Sequence, residues 1–278
     1  MYKVVKILNN NVVCSLDHNG EEVILRGLGI GFQKKINDEI DEDKVEKVYK
    51  ISNNKTSNKL QELLAEIPNS YAATSSDIID YAKETLGKKL NDNIYITLTD
   101  HISFALERKD KNLEYKNVLL SEIRQFYPSE FAVGTESLKI IKEKLGVDLS
   151  LDEAGFIALH IVNAELDTDM SSMFNITKLI QKIIDIVKDY YKISLDEESL
   201  NYARFITHLK FFGQRVFNNK ISKDDDVTFQ KMVRDRYAHD YQCAVKIREY
   251  VEETYKKTIS EEEMTFLTVH LKRISITD

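Results

Sequence analysis

Tryptophan is absent from this chain of 278 residues, proline and cysteine each occur twice, and glycine occurs nine times. So few chain breakers make a large β-sandwich a poor fit and suit a helix-rich protein. Cys14 and Cys243 are far apart and belong to no motif, so both are expected as reduced thiols in a cytoplasmic protein. No apolar run approaches the ~20 residues of a membrane helix, so no membrane insertion is expected. The first residues, Met1-Tyr-Lys-Val-Val-Lys6, lack the apolar core of a signal peptide. Positive charge is also short: the net charge of −7 excludes a generally basic nucleic-acid binder but leaves room for a local RNA site. What is present is 42% apolar and 31% charged residues, enough for a buried core and the opposite of a disordered polymer. At roughly 100–200 residues per domain the length means two or three domains.

The first 56 residues read as a small all-β domain of short strands. Tyr2–Leu8, Val12–Leu16, Glu22–Leu25 and Val45–Ile51 are the strand candidates, separated by the turn formers Asn9-Asn10-Asn11 and His18-Asn19-Gly20. Ser52–Ser57 has linker composition. From Leu60, Leu63, Leu64 and Ile67 onward the apolar spacing is helical to the end.

That helical part is an internal repeat. Tyr127–Ile161 lies over Tyr237–Leu271 at an offset of 110, placing Phe156 on Phe266 and His160 on His270. Ile94–Arg108 lies over Asn201–Arg215 at an offset of 107, placing His101 on His208, Phe104 on Phe211 and Arg108 on Arg215. Two copies of about this size are domains rather than solenoid repeats, whose units are ~20–50 residues. Both copies carry a capping-box pattern, Ser150-Leu-Asp-Glu153 and Ser260-Glu-Glu-Glu263, in which the glutamate is expected to reach back to the serine N–H.

Four of the six histidines sit at these matched positions. Three readings are open. They are half-buried side chains satisfied by hydrogen bonds, or ligands of a metal shared between two helices, for which no third ligand is evident. Or they are phosphoryl acceptors: neutral imidazole is nucleophilic near neutral pH, and the group gained carries about −1.5 to −2 charges. Arg108 and Arg215, seven residues after His101 and His208 on the same helix face, are placed to meet that charge. No nucleophile elbow, phosphate loop or dinucleotide glycine pattern occurs, so no enzyme, cofactor or metal is implied.

The segment Arg26-Gly-Leu-Gly-Ile-Gly-Phe-Gln-Lys-Lys35 alternates glycines Gly27, Gly29 and Gly31 ahead of Phe32 and Gln33. An exposed aromatic beside Gln and Lys stacks and reads unpaired RNA bases. The competing reading is a tight hairpin with Phe32 in the core. Residues 1–56 hold nine basic and nine acidic residues, so a lone domain would bind RNA weakly and a symmetric dimer would double its contacts.

Ile7-Leu-Asn-Asn-Asn-Val-Val13 followed by Gly27-Leu-Gly-Ile-Gly-Phe-Gln-Lys-Lys35 resembles a co-antiterminator RNA-binding domain. Thr97-Leu-Thr-Asp-His-Ile102, Asp152-Glu-Ala-Gly-Phe-Ile-Ala-Leu-His-Ile-Val-Asn-Ala164 and Thr207-His-Leu-Lys-Phe-Phe212 resemble the duplicated regulation domains of the sugar phosphotransferase system. The whole chain resembles transcriptional antiterminators of the BglG/SacY/LicT type. The resemblance implies a multidomain protein: an all-β RNA-binding domain over 1–56, then two homologous all-α helical bundles over 57–172 and 173–278. It implies a cytoplasmic homodimer that holds an mRNA hairpin against a terminator upstream of sugar-utilisation genes. RNA contacts fall on Lys6, Asn9, Asn11, Gly27, Gly29, Phe32 and Gln33. Where the family often has Gly-Arg-Gly, this chain has Gly27-Leu28-Gly29, so no arginine contact carries over to that position. Phosphorylation falls on His101 and His160, with Asp100 in support, from a sugar-specific enzyme II, and on His208 and His270 from HPr. The effect would pass to the RNA domain through Ser52–Ser57. The alternative is a phosphorylation-responsive interaction sensor with no RNA output.

Overall fold

The computed structural model describes residues 2–51, 53–113, 115–218 and 226–275. Four strands, β1 (Val4–Asn9), β2 (Val12–Leu16), β3 (Glu22–Arg26) and β4 (Lys47–Tyr49), form one antiparallel sheet in sequence order. The first hairpin turns at Asn10-Asn11. In the second, Asp17 Oδ1 accepts from Asn19 N at 2.8 Å and Gly20 takes φ +81°. Pairing Val13 with Leu25 and Cys14 with Ile24 sorts the side chains by face. Val4, Val13, Val23, Leu25, Ile30 and Ile40 make a small core on one side. Val12, Cys14, Ile24 and Tyr49 face the other side and join a helical core. The central strands β2 and β3 are therefore buried on both faces and read as apolar runs, whereas β1 leaves Val5 and Lys6 exposed.

Eleven helices follow among the described residues: α1 (Asn54–Glu66), α2 (Asn69–Leu86), α3 (Ile94–Asp110), α4 (Leu120–Phe126), α5 (Pro128–Leu145), α6 (Leu151–Leu166), α7 (Met170–Tyr191), α8 (Leu200–Phe217), α9 (Val227–Arg236), α10 (Ala238–Tyr255) and α11 (Glu261–Ile274). The repeat is thus five helices long, α2–α6 and α7–α11. The chain divides into two compact units, residues 1–117 with 129–165, and residues 118–128 with 166–278, so α4 groups with the second.

One expectation is corrected. Ser52–Ser57 is not a linker: α1 begins at Asn54, and Asn53 Oδ1 caps it by accepting from Lys55 N at 2.9 Å and Thr56 N at 3.4 Å. Ser52 itself lies outside the described residues. Polar residues mark a helix start here because Leu60 and Leu64, about two and three turns in, bury against the sheet. The first unit is tied further by Lys47 to Asp80 at 2.6 Å and by Tyr49 Oη and Ser76 Oγ at 2.6 Å. Both cysteines are free and buried, and burial pushes their thiols up to about 11 for Cys14 and about 12 for Cys243. No described helix is long and apolar enough to cross a membrane.

Candidate functional site

The glycine segment is a run of turns braced from the β1–β2 hairpin. Gly27 N donates to Asn11 O and Gly31 N to Asn10 O, both at 2.9 Å, and Gly29 N donates to Asn11 Oδ1 at 2.9 Å. Ile30 takes the core position at 2% exposure, which leaves Phe32 58% exposed. Phe32 is therefore a surface ring, and the hairpin-core reading of it fails. Gln33 beside it is exposed at φ +55°, and Leu28 (73%) and Ile36 (66%) extend the uncovered apolar surface. Ile36 carries no sequence signal that separates it from a core residue. Arg26 turns inward, its Nη1 donating to Glu46 Oε2 at 2.6 Å.

The other candidate RNA residues make hydrogen bonds within the protein, Lys6 while remaining exposed. Asn9 Nδ2 donates to Leu64 O at 2.8 Å, and Asn9 Oδ1 accepts from Asn11 N at 2.8 Å. Lys6 Nζ donates to Gln61 Oε1 at 3.1 Å. A Cβ on Gly27 would lie 1.8 Å from Lys44 O, whereas Gly29 has open space and φ +68°. Gly27 serves close packing and Gly29 serves the turn.

The repeat brings its histidines together in pairs. His101 on α3 and His160 on α6 have ring centroids 4.8 Å apart; His208 on α8 and His270 on α11 stack at 3.6 Å. Glu153 and Glu263, at the starts of α6 and α11, do not reach back to their serines as the capping pattern suggests. Ser260 Oγ does accept from Glu263 N at 3.3 Å, and Ser150 O accepts from Glu153 N at 3.1 Å. The carboxylates go to the arginines instead. Glu153 Oε1 accepts from Arg108 Nη2 at 2.9 Å, and Glu263 takes both Arg215 Nε and Arg215 Nη2, the latter at 2.9 Å. Sequence reasoning read these two glutamates only as caps; their fall at the same offset as the histidines was the available signal.

Burial holds the His160 imidazole well below its ordinary value, with the neighbouring His101 adding to the effect. Burial, then His208 and Arg273, lower His270 to about 4, and burial with Arg215 and Arg273 lowers His208. Asp100 is raised, chiefly by burial. A histidine depressed in the folded state takes its proton first in the unfolded chain. Its stabilising contribution is complete above 6.5 and is lost as pH falls from there to about 4. Denaturant titrations between pH 7 and 4.5 are expected to show a shallower loss in His270→Gln than in the unaltered chain. The change should be a fraction of the ~1.4 kcal/mol per pH unit of one whole proton, since the ring is half-exposed and screened. Equal slopes would refute the assignment.

Residues 2–58 match the CAT RNA binding domain, and residues 76–164 and 181–274 each match the PRD domain. The chain is 47% identical over 272 residues to "Transcription antiterminator LicT" of Bacillus subtilis, covering 98% of each. It is 39% identical to "Beta-glucoside operon antiterminator" of Dickeya chrysanthemi, covering 98% of this chain and 96% of the other. Among solved structures it resembles "Crystal structure of GlcT CAT-PRDI" at 37% identity and TM-score 0.53, over 59% of this chain and 98% of that one. With an RNA-binding domain on its sheet and the histidine pairs in both helical copies, the chain belongs to the family of transcription antiterminators that join a CAT RNA-binding domain to two PRD domains.

Proposed function

We propose that this protein is a cytoplasmic RNA-binding antiterminator rather than an enzyme. As a dimer it grips an internal-loop hairpin in nascent mRNA and holds it against an overlapping terminator upstream of sugar-utilisation genes. Phe32 stacks on an unpaired base, with Gln33 and the neighbouring backbone available to base edges, while Lys6, Asn9, Asn11, Gly27 and Gly29 hold or flank that surface. The two histidine pairs, His101 with His160 and His208 with His270, accept phosphoryl groups from the phosphotransferase system: the first from a sugar-specific enzyme II, the second from HPr. Arg108 and Arg215 are in reach of the added charge, and Asp100 flanks His101.

The observation that carries this reading is the exposed Phe32 ring on a glycine-braced turn, inside the segment matching the CAT domain. The test is a titration of the full chain against an internal-loop hairpin from the leader upstream of its operon, across salt concentrations. The full chain is needed because residues 1–56 alone would expose Val12, Cys14, Ile24 and Tyr49. Binding of two chains per hairpin is the expected result. A folded protein that ignores the hairpin would favour a phosphorylation-responsive interaction sensor without RNA output.

A further inference from the structure

The two histidine pairs share a repeat position but not an environment. In the first copy Glu153 Oε2 lies 3.0 Å from His101 Nε2, an ion-pair distance though off the line of the ring N–H, while Oε1 holds Arg108. Phe156 lies against His101 with centroids 5.7 Å apart, and His160 is 7% exposed with its Nδ1 unpartnered among the described residues. Burial alone would raise Glu153, but His101 and Arg108 outweigh it and keep the group a carboxylate. In the second copy Glu263 gives both oxygens to Arg215. His208 is exposed and His270 half-exposed, and the two line an open cavity of about 250 Å³ with Phe205, Leu209, Phe212 and Phe266.

We propose that Glu153 is a positioning residue that latches the first histidine pair, so that His101 accepts a phosphoryl group only after Glu153 releases it, whereas the second pair is open as it stands. This rests on the reading of the histidines as phosphoryl acceptors. The physics is a contest for one arginine. A phosphoryl group on His101 would set two anions side by side, and Arg108, whose planar fork suits phosphate as well as carboxylate, would be drawn from Glu153 to it. Asp100, next along the helix, adds to the repulsion. Glu263 makes no such claim on His208, because Arg215 satisfies both its oxygens.

The test needs no partner protein. Phosphoramidate phosphorylates imidazole directly: a P–N bond forms at the ring, the P–N bond of the reagent breaks, and the ring proton leaves with the amine as ammonia. Diethyl pyrocarbonate acylates the same nitrogens and expels ethyl carbonate. Each histidine of the full chain is followed by mass spectrometry. The second pair is expected to label about 10- to 100-fold faster than His101, a difference of roughly 1.4–2.8 kcal/mol at about 1.4 kcal/mol per factor of ten. Glu153→Gln is expected to close most of that gap, and Glu263→Gln to leave His101 unchanged. Glu153→Asp, which keeps the charge but shortens the reach, serves should the glutamine variant fold poorly. A purely structural role is distinguished by imidazole ¹⁵N shifts. His101 is expected to carry its proton on Nε2 in the unaltered chain and to become a tautomer mixture in Glu153→Gln, with His208 unmoved. The proposal is overturned if His101 labels as fast as His208 from the start, or if neither variant speeds it. If phosphoramidate labels nothing while diethyl pyrocarbonate gives the expected pattern, the latch stands and the phosphoryl-acceptor reading falls.

Discussion

Phe32→Ala is expected to weaken hairpin binding by the full chain at least about 30-fold while leaving its unfolding midpoint unchanged. Stacking of a base on an aromatic ring is worth ~1–3 kcal/mol, and a symmetric dimer has two such rings, giving about 2–6 kcal/mol in total. The ring is 58% exposed and Ile30 fills the core beneath it, so its loss leaves no cavity. The effect separates from electrostatics through salt. Phenylalanine neutralises no phosphate, so the slope of log affinity against log salt should match that of the unaltered chain. Lys35→Gln, by contrast, should flatten that slope if its exposed side chain meets the backbone. Hairpin titrations of the three proteins at several salt concentrations decide this. Unchanged affinity in Phe32→Ala would mean that the ring is no stacking platform and that the apolar surface it shares with Leu28 and Ile36 serves another purpose.

Much of this architecture is legible in the amino-acid sequence. The offsets of 107 and 110 register α3 on α8 and α6 on α11, and the histidines at those offsets meet in both copies. A duplicated helix keeps its buried positions in step, so apolar spacing and histidine spacing report the same register. Less legible was what the polar side chains do once folded. Ser150-x-x-Glu153 carries the spacing of a capping box, yet the glutamate turns to Arg108 and His101, which lie more than forty residues away in sequence and leave no local signal. Asn9 and Asn11 read as turn residues free to meet RNA, but a helix that arrives fifty-five residues later takes the Asn9 amide. Ser52–Ser57 failed as a linker for a related reason: serine, asparagine and threonine favour both loops and helix starts, and only the burial of Leu60 and Leu64 decides between them. Alternating glycines announced close backbone approach without saying at which glycine.

Gly27→Ala is expected to remove RNA binding by a route unlike that of Phe32→Ala, through loss of the fold of the β domain. The added methyl would lie 1.8 Å from Lys44 O and 3.0 Å from Lys44 C, both backbone atoms that cannot rotate away. The strands around it are pinned, since Gly27 N donates to Asn11 O and Glu46 N to Arg26 O, both at 2.9 Å. Relief therefore requires the Glu42–Glu46 segment to move off β3 and break β3–β4 pairing. Overpacking of this kind costs about 3 kcal/mol or more. Gly29→Ala meets no atom within 4 Å and pays only for a positive φ of 68°, roughly 1–2 kcal/mol. The two variants thus separate a packing glycine from a turn glycine two residues apart. Denaturant unfolding followed by circular dichroism should show the larger loss for Gly27→Ala. Its RNA affinity should fall in step with the folded fraction, while Gly29→Ala stays folded. A Gly27→Ala protein that unfolds with the unaltered chain, yet fails to bind the hairpin, would show that the glycine meets RNA directly and that the Lys44 backbone yields more readily than this packing implies.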